Sequence, residues 1–255
     1  MVDPWRIEAD PAWAAAVVIA AIDYVVVVRS WRRRGVETPR WRMAAFAAGL
    51  ALIAIALLSP LEHIALHSLL SVHLLQNVIL ADWAPPLLVL GLTAAMIAAC
   101  ERRRPVRLVT SPAFALGYWL AAWYVLHIPA VYGYALTHRW ALGIEHLVFL
   151  TAGIVFWWPV LAPGRMQPGP KLFYLFGAFI AAAPVALALA LTHPQYTFYV
   201  HAPRLWGISP LEDQQLGAIA MAVEQAAILF AACSVVFFRL MAEDEAGDAG
   251  VGFEA

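Results

Sequence analysis

Long apolar runs, broken by short and mostly basic connections, fill this chain almost from end to end. They lie near Pro11–Val28, Trp41–Ser59, His63–Cys100, Ser111–His127, Leu142–Leu161, Leu172–Leu191 and Gln215–Phe238. A helix that crosses a bilayer needs about 20 predominantly apolar residues, so each run reads as a span. The third is too long for one straight span: as a single helix it would extend ~55 Å, against a hydrocarbon core of ~30 Å. Pro85 and Pro86 in its middle predict a kink. It reads as a bent span with its first part near the outer surface, as two shorter helices, or as a re-entrant segment. The pattern as a whole predicts an all-α fold: a polytopic integral membrane protein, a bundle of about seven transmembrane helices.

Composition agrees. Hydrophobic residues make up 63% of the 255 positions and charged residues 13%, where a soluble domain is nearer half apolar and a quarter charged. Seven spans leave room only for short loops, which favours one bundle over residues 1–241. The acidic stretch at 242–255 reads as a solvated, disordered cytoplasmic tail. A net charge of −1 gives no reason to expect a nucleic-acid partner; the first partner is membrane lipid. Cys100 and Cys233 lie far apart without a Cys-x-x-Cys pattern, so neither a disulfide framework nor a thiolate metal clip is indicated. Met1 to Asp10 lack the basic region of a cleavable signal peptide, so the first run is expected to stay as a helix.

Charge along the chain orients the bundle. Of the 16 Lys and Arg, 13 fall between the first two runs, after the third, between the fifth and sixth, and at the end of the last. With an odd number of crossings in the third run, all 13 share one side, which the positive-inside rule assigns to the cytoplasm. The N-terminus is then outside, the C-terminus is cytoplasmic, and the membrane is a plasma membrane.

All eight histidines fall on the opposite, outer side of this map. His63 and His67 are four apart, so on a helix they share a face. His73 and Gln76 are three apart and also share one. His73 lies ~15 Å along the helix from His63; polar groups inserted that far usually face the bundle interior and mark a site. His127 ends the fourth run, His138 lies in the following loop, and Glu145 and His146 begin the fifth. His193 and His201 read as histidines merely tolerated at the interface. Glu212 and Asp213, followed by Gln214, open the last run, where an acid pair also suits the helix dipole. Glu224 lies ~16 Å deeper and could meet His73 at similar depth. Asp23, Asp82 and Glu224 are intramembrane acids, each costly unless paired or wet. Imidazoles with carboxylates suit copper, zinc or iron; a buried hydrogen-bonded network of the same residues is the alternative. The outer aromatics Trp140, Tyr196, Tyr199 and Trp206 read as interface anchors.

Three stretches carry a family resemblance. The first runs Ser71-Val-His73-Leu-Leu-Gln76 and then Ala84-Pro-Pro-Leu-Leu-Val-Leu-Gly91. The second holds His127-Ile-Pro-Ala-Val-Tyr132, His138, Glu145-His146-Leu-Val-Phe149 and Phe156-Trp-Trp-Pro159. The third is Ser209-Pro-Leu-Glu-Asp-Gln-Gln-Leu-Gly217 with Met221. Together they resemble the polytopic CtaG family of bacterial cytochrome c oxidase assembly factors, over about residues 60–238. This family is distinct from the single-span copper chaperone of the same name. The chain has Gly217-Ala218 where the family pattern often has two glycines.

The resemblance implies a non-enzymatic factor of the respiratory chain, multi-pass in the bacterial plasma (inner) membrane. It would help copper reach the catalytic subunit of a haem–copper oxidase, taking the metal from a donor protein. The positions carried over by motif are His73, Gln76, His127, His146, Asp213 and Gln214, with His138 a looser match. His63 and His67 lie outside the motifs and rest on spacing alone; Glu145 and Glu224 are supporting carboxylates. Zinc or haem iron stay open as the metal. The competing readings are a haem-binding membrane cytochrome, with facing histidines as axial ligands, and a histidine-dependent metal or proton transporter. An intramembrane hydrolase is the weakest, because His-Glu-x-x-His is absent.

Overall fold

A computed structural model describes residues 3–251, as helices and short connections with no strand among them. In chain order the helices are α1 (Pro11–Arg33), α2 (Arg40–Leu58), α3 (Pro60–His67), α4 (Leu70–Val78), α5 (Ala84–Leu90), α6 (Ala94–Glu101), α7 (Arg104–Val109), α8 (Pro112–Leu126), α9 (Pro129–Thr137), α10 (Arg139–Leu161), α11 (Pro168–Leu191), α12 (Thr197–Val200) and α13 (Pro210–Val251). Six helical stretches are long and apolar enough to cross a bilayer, and a bent seventh is formed by α8 and α9. The all-helical membrane bundle expected from the apolar runs is the fold observed.

Local chemistry sets many of the boundaries. Proline opens α1, α3, α8, α9 and α11, where its missing N–H costs nothing. Asp10 caps α1 through Ala12 N at 2.8 Å, and Ser59 caps α3 through Leu61 N at 3.2 Å.

The long third run resolves into three parts. α3 lies before the membrane span, and α6 follows it. Between them α4 and α5 form one span, Leu70–Leu90, joined through a π-helical turn at Ile79–Trp83. Pro85 and Pro86 sit just after that turn, so the donors they lack fall where the helical ladder is already stepped. The fourth span departs from expectation more strongly. α8 ends at Leu126, and α9 leaves it at 75°. The prolines explain the break, since Pro129 cannot continue the α8 ladder and disfavours helical geometry at Ile128.

α4 and its π turn lie at the centre, packed against α2, α10 and α13. α11 packs on α13 and α8, while α1 leans on α2 with no residue buried. Close approach is built in at Gly153 of α10, where a Cβ would collide with the Ala81 carbonyl and the Pro85 ring. The two ends differ in charge. At one, Arg42 donates to the Leu90 and Leu92 carbonyls, and Arg165 pairs with Glu101 at 3.3 Å. At the other lie the histidines, with Glu8, Asp10, Arg139 and Arg204. The last helix carries on through the first ten residues of the 242–255 stretch, to Val251; residues 252–255 of that expected tail lie outside those described.

Candidate metal centre

The buried site is built on α4, whose first turn has no capping side chain of its own. The cap comes from α13. Asp213 accepts from Leu70 N and Ser71 N, both at 2.9 Å, and from the Ser71 hydroxyl at 2.6 Å. Arg204 Nη1 stands 3.6 Å from the same carboxylate. Gly217 lets the two helices approach: a Cβ there would lie 2.6 Å from Leu74 Cδ1 and 3.1 Å from Ser71 Cα. This clamp fixes α4 one turn above His73.

His73 is fully enclosed. Its Nδ1 is 2.9 Å from the Tyr199 hydroxyl, which itself donates to the Ala65 carbonyl at 2.7 Å. A phenol has one proton to give. Since it goes to Ala65, His73 Nδ1 carries the hydrogen and Nε2 is left as a bare lone pair. His127, at the α8–α9 bend, repeats the arrangement. Its Nδ1 lies 2.6 Å from the Trp123 carbonyl, which can only accept, so Nε2 is again unprotonated. Neither Nε2 has a hydrogen-bond partner, and nor does the buried Nε2 of His146 on α10. An imidazole anchored through Nδ1–H with a free Nε2 is the form in which histidine binds metal.

Around these rings the chemistry is consistent. His73 and His146 have ring centroids 5.8 Å apart, and Tyr132 touches both His73, at 4.9 Å, and His127, at 6.3 Å. Glu145 Oε1 takes Asn77 Nδ2 at 3.1 Å and stands 3.6 Å from His73 Nε2. Its Oε2 and the Tyr132 hydroxyl are buried without partners. Orphaned buried acceptors are expensive, and here several surround one imidazole. The donor set, nitrogen with carboxylate and phenol oxygen, suits a borderline metal.

A second histidine group lies nearer the surface. Glu8, ahead of α1, takes His63 Nδ1 at 2.9 Å and His67 Nε2 at 2.8 Å on the same oxygen. Among the described residues, this trio is the group whose ligand atoms all fall within 4.8 Å of one another; the buried histidines are spread wider. The hydrogen bond from His63 holds the Glu8 carboxyl below its ordinary range, against partial burial, which raises it. Glu62, buried one residue before His63, is pushed up to about 7 by desolvation, although Gln76 donates to it at 2.7 Å.

The other sequence-derived positions have defined places. Gln76 also bonds the Ala56 carbonyl, and Gln214 ties the loop after α11 through Gln195 N and the Leu189 carbonyl. Asp213 is the cap of α4. His138 is exposed and stacks on Tyr134, away from the buried rings; His193 and His201 are exposed as well. Glu224 does not meet His73. α13 runs parallel to α4, with Gly217 beside Leu74, so Glu224 lies seven residues, ~10 Å, further along. There it accepts from Trp83 Nε1 at 2.6 Å. The carboxylate at His73 is Glu145. Trp140 and Trp206 are exposed, as anchors should be, whereas Tyr196 and Tyr199 are buried. Both hold the site: Tyr196 donates to the His127 carbonyl at 3.0 Å. No sequence pattern marked Glu8 or Asn77, and the two tyrosines read there as interface anchors; Tyr132 was present only as the end of a motif.

Comparison with known proteins adds a family. The model of the cytochrome c oxidase caa3 assembly factor family (Caa3_CtaG) matches residues 22–243. Two mycobacterial relatives are similar: uncharacterized protein Mb0105 of Mycobacterium bovis and uncharacterized protein MT0111 of Mycobacterium tuberculosis. Each is 24% identical over 241 residues, covering 84% of this chain. The chain spans little more than a third, 36%, of the length of these curated relatives. No solved structure matches.

Proposed function

This chain belongs to the cytochrome c oxidase caa3 assembly factor family, and we propose that it serves oxidase maturation by holding copper as cargo at its buried histidines. The observation that supports this most is the pair of bare Nε2 atoms on His73 and His127, each anchored through Nδ1 and enclosed. His146 and Glu145 complete the donor set. Asp213 acts at one remove, by seating the first turn of α4.

The histidine end faces outward and the arginine-rich end faces the cytoplasm of a bacterial plasma membrane, following the distribution of basic residues. Copper arrives from a donor protein on the outer side and passes to the catalytic subunit of a haem–copper oxidase. Delivery of this kind needs ligands of adjustable affinity and no bond chemistry, so the role is non-enzymatic.

The test is elemental analysis of detergent-purified protein after copper loading, with a visible spectrum, beside a His73→Ala/His127→Ala variant. A fall of about one copper per chain from the parent to the variant is the expected result. Equal copper in the two leaves the buried histidines as a hydrogen-bonded polar network, and Soret absorbance after haem supply identifies a cytochrome instead. In cells, deletion lowers oxidase activity and the copper content of the oxidase; an oxidase with normal copper in the deletion strain overturns the proposal.

A further inference from the structure

Glu8 lies outside the family match, which begins at residue 22, yet it reaches back over α3 to His63 and His67. One carboxylate oxygen holds both imidazoles, at 2.9 and 2.8 Å. In the metal-free protein this is a hydrogen-bonded bridge. The same separations also suit a metal. Two ligands about 2.0 Å from an ion and at right angles stand about 2.9 Å apart, whereas tetrahedral ligands stand about 3.3 Å apart. The bridge therefore matches cis edges of a tetragonal N,O site, the geometry of copper(II).

A second observation stands apart from the trio. A cavity of ≈ 330 Å³ opens beside it, with Glu8, His67 and His146 among its lining residues. His146 is 1% exposed, and its Nε2 has no partner. Two members of the trio, Glu8 and His67, thus line the same cavity as an orphaned imidazole of the buried cluster.

We propose that Glu8, His63 and His67 form a separate surface site for a divalent transition-metal ion, with copper(II) the best fit, at the mouth of the cavity that reaches His146. Its existence stands on this geometry alone; its service as the entrance to the buried cluster rests on the function proposed above. Glu8 supplies one oxygen, His63 its Nδ1 and His67 its Nε2. A fourth position would be left for water or a ligand carried in with the ion.

The full chain in detergent is titrated with Cu²⁺ alone, by equilibrium dialysis and electron paramagnetic resonance. Besides the copper held at the buried histidines, the parent should bind one Cu²⁺ whose spectrum shows nitrogen coupling from two imidazoles. His63→Ala/His67→Ala should abolish that signal. Glu8→Gln, which keeps the shape and one hydrogen-bond acceptor, should weaken binding at least tenfold. His73→Ala/His127→Ala should leave the signal unchanged, so loss of the buried site and loss of the surface site are read separately. An unaltered signal in His63→Ala/His67→Ala, or a signal lost only in the buried-site variant, overturns the proposal. So does a parent that binds no Cu²⁺.

Discussion

His73 Nε2 and Glu145 Oε1 face each other at 3.6 Å with neither side chain open to solvent. That separation is too long for a hydrogen bond and well suited to two ligands of one ion. The His73 proton is committed to Nδ1 by Tyr199, so in the metal-free protein the pair meets as lone pair against carboxyl.

Glu145→Gln removes the ionisable carboxyl and keeps the bond to Asn77. The variant should fold with a melting temperature within a few degrees of the parent, because the amide fills the same space and can accept the same hydrogen bond. The affinity of its buried site for copper should fall tenfold or more. Full copper content together with normal support of the oxidase would make Glu145 part of a structural network only.

Asp213 holds two backbone amides and a hydroxyl at the head of α4. Asp213→Ala leaves those donors without an acceptor, at a cost of about 1–3 kcal/mol. Thermal unfolding in detergent should drop accordingly, and copper binding should weaken with it because His73 is carried on the same turn. Ser71→Ala should show a smaller loss in both. A destabilised Asp213→Ala protein with full copper affinity would separate the cap from the site.

Gly153→Ala should be among the most damaging small substitutions, because its Cβ meets the Ala81 carbonyl and the Pro85 ring, which cannot step aside. A loss of about 1–3 kcal/mol or more is expected. Gly217→Ala should cost less, since the nearest atom is the end of the Leu74 side chain. Gly133→Ala meets nothing within 4 Å and should be neutral or mildly stabilising. Melting temperatures of the three variants check the order.

Glu62 gives the metal-free protein a pH dependence. Burial raises its carboxyl to about 7, so between pH 4.5 and about 7 the folded state holds a proton that the unfolded state has released. Stability from this group is fully present below its ordinary pKa and is lost as pH rises through that window, by roughly 3 kcal/mol. Glu62→Gln, measured in chelator, should flatten the slope. Glu8 works in the opposite sense: its lowered carboxyl contributes stability above the ordinary carboxylate range that is lost on acidification.

Much of this was legible in the chain. The spans near Trp41–Ser59 and Leu172–Leu191 sit within a few residues of α2 and α11, because long apolar runs leave no other solution in a bilayer. The gathering of His73, His127 and His146 was visible as a histidine count on one side of the map. Register was less legible. Depth measured along one helix put Glu224 near His73, but partners are chosen by how two helices are offset, and the Asp213 clamp sets that offset. Tyr199 looked like an interface anchor because an aromatic near a membrane surface has that role by default; only the α12 turn aims it inward. Glu8 belongs to an irregular segment with no periodicity to place it.

The clamp that joins Asp213 to Leu70 spans 143 residues of sequence. A chain emerging from the ribosome delivers α4 to the membrane long before its cap exists, with the amides of Leu70 and Ser71 unmet. The histidine-bearing turn is locked only when α13 slides in beside it. The step that finishes the site therefore comes late, and a chain released before Ser209 holds His73, His127 and His146 but not the part that fixes α4 in place.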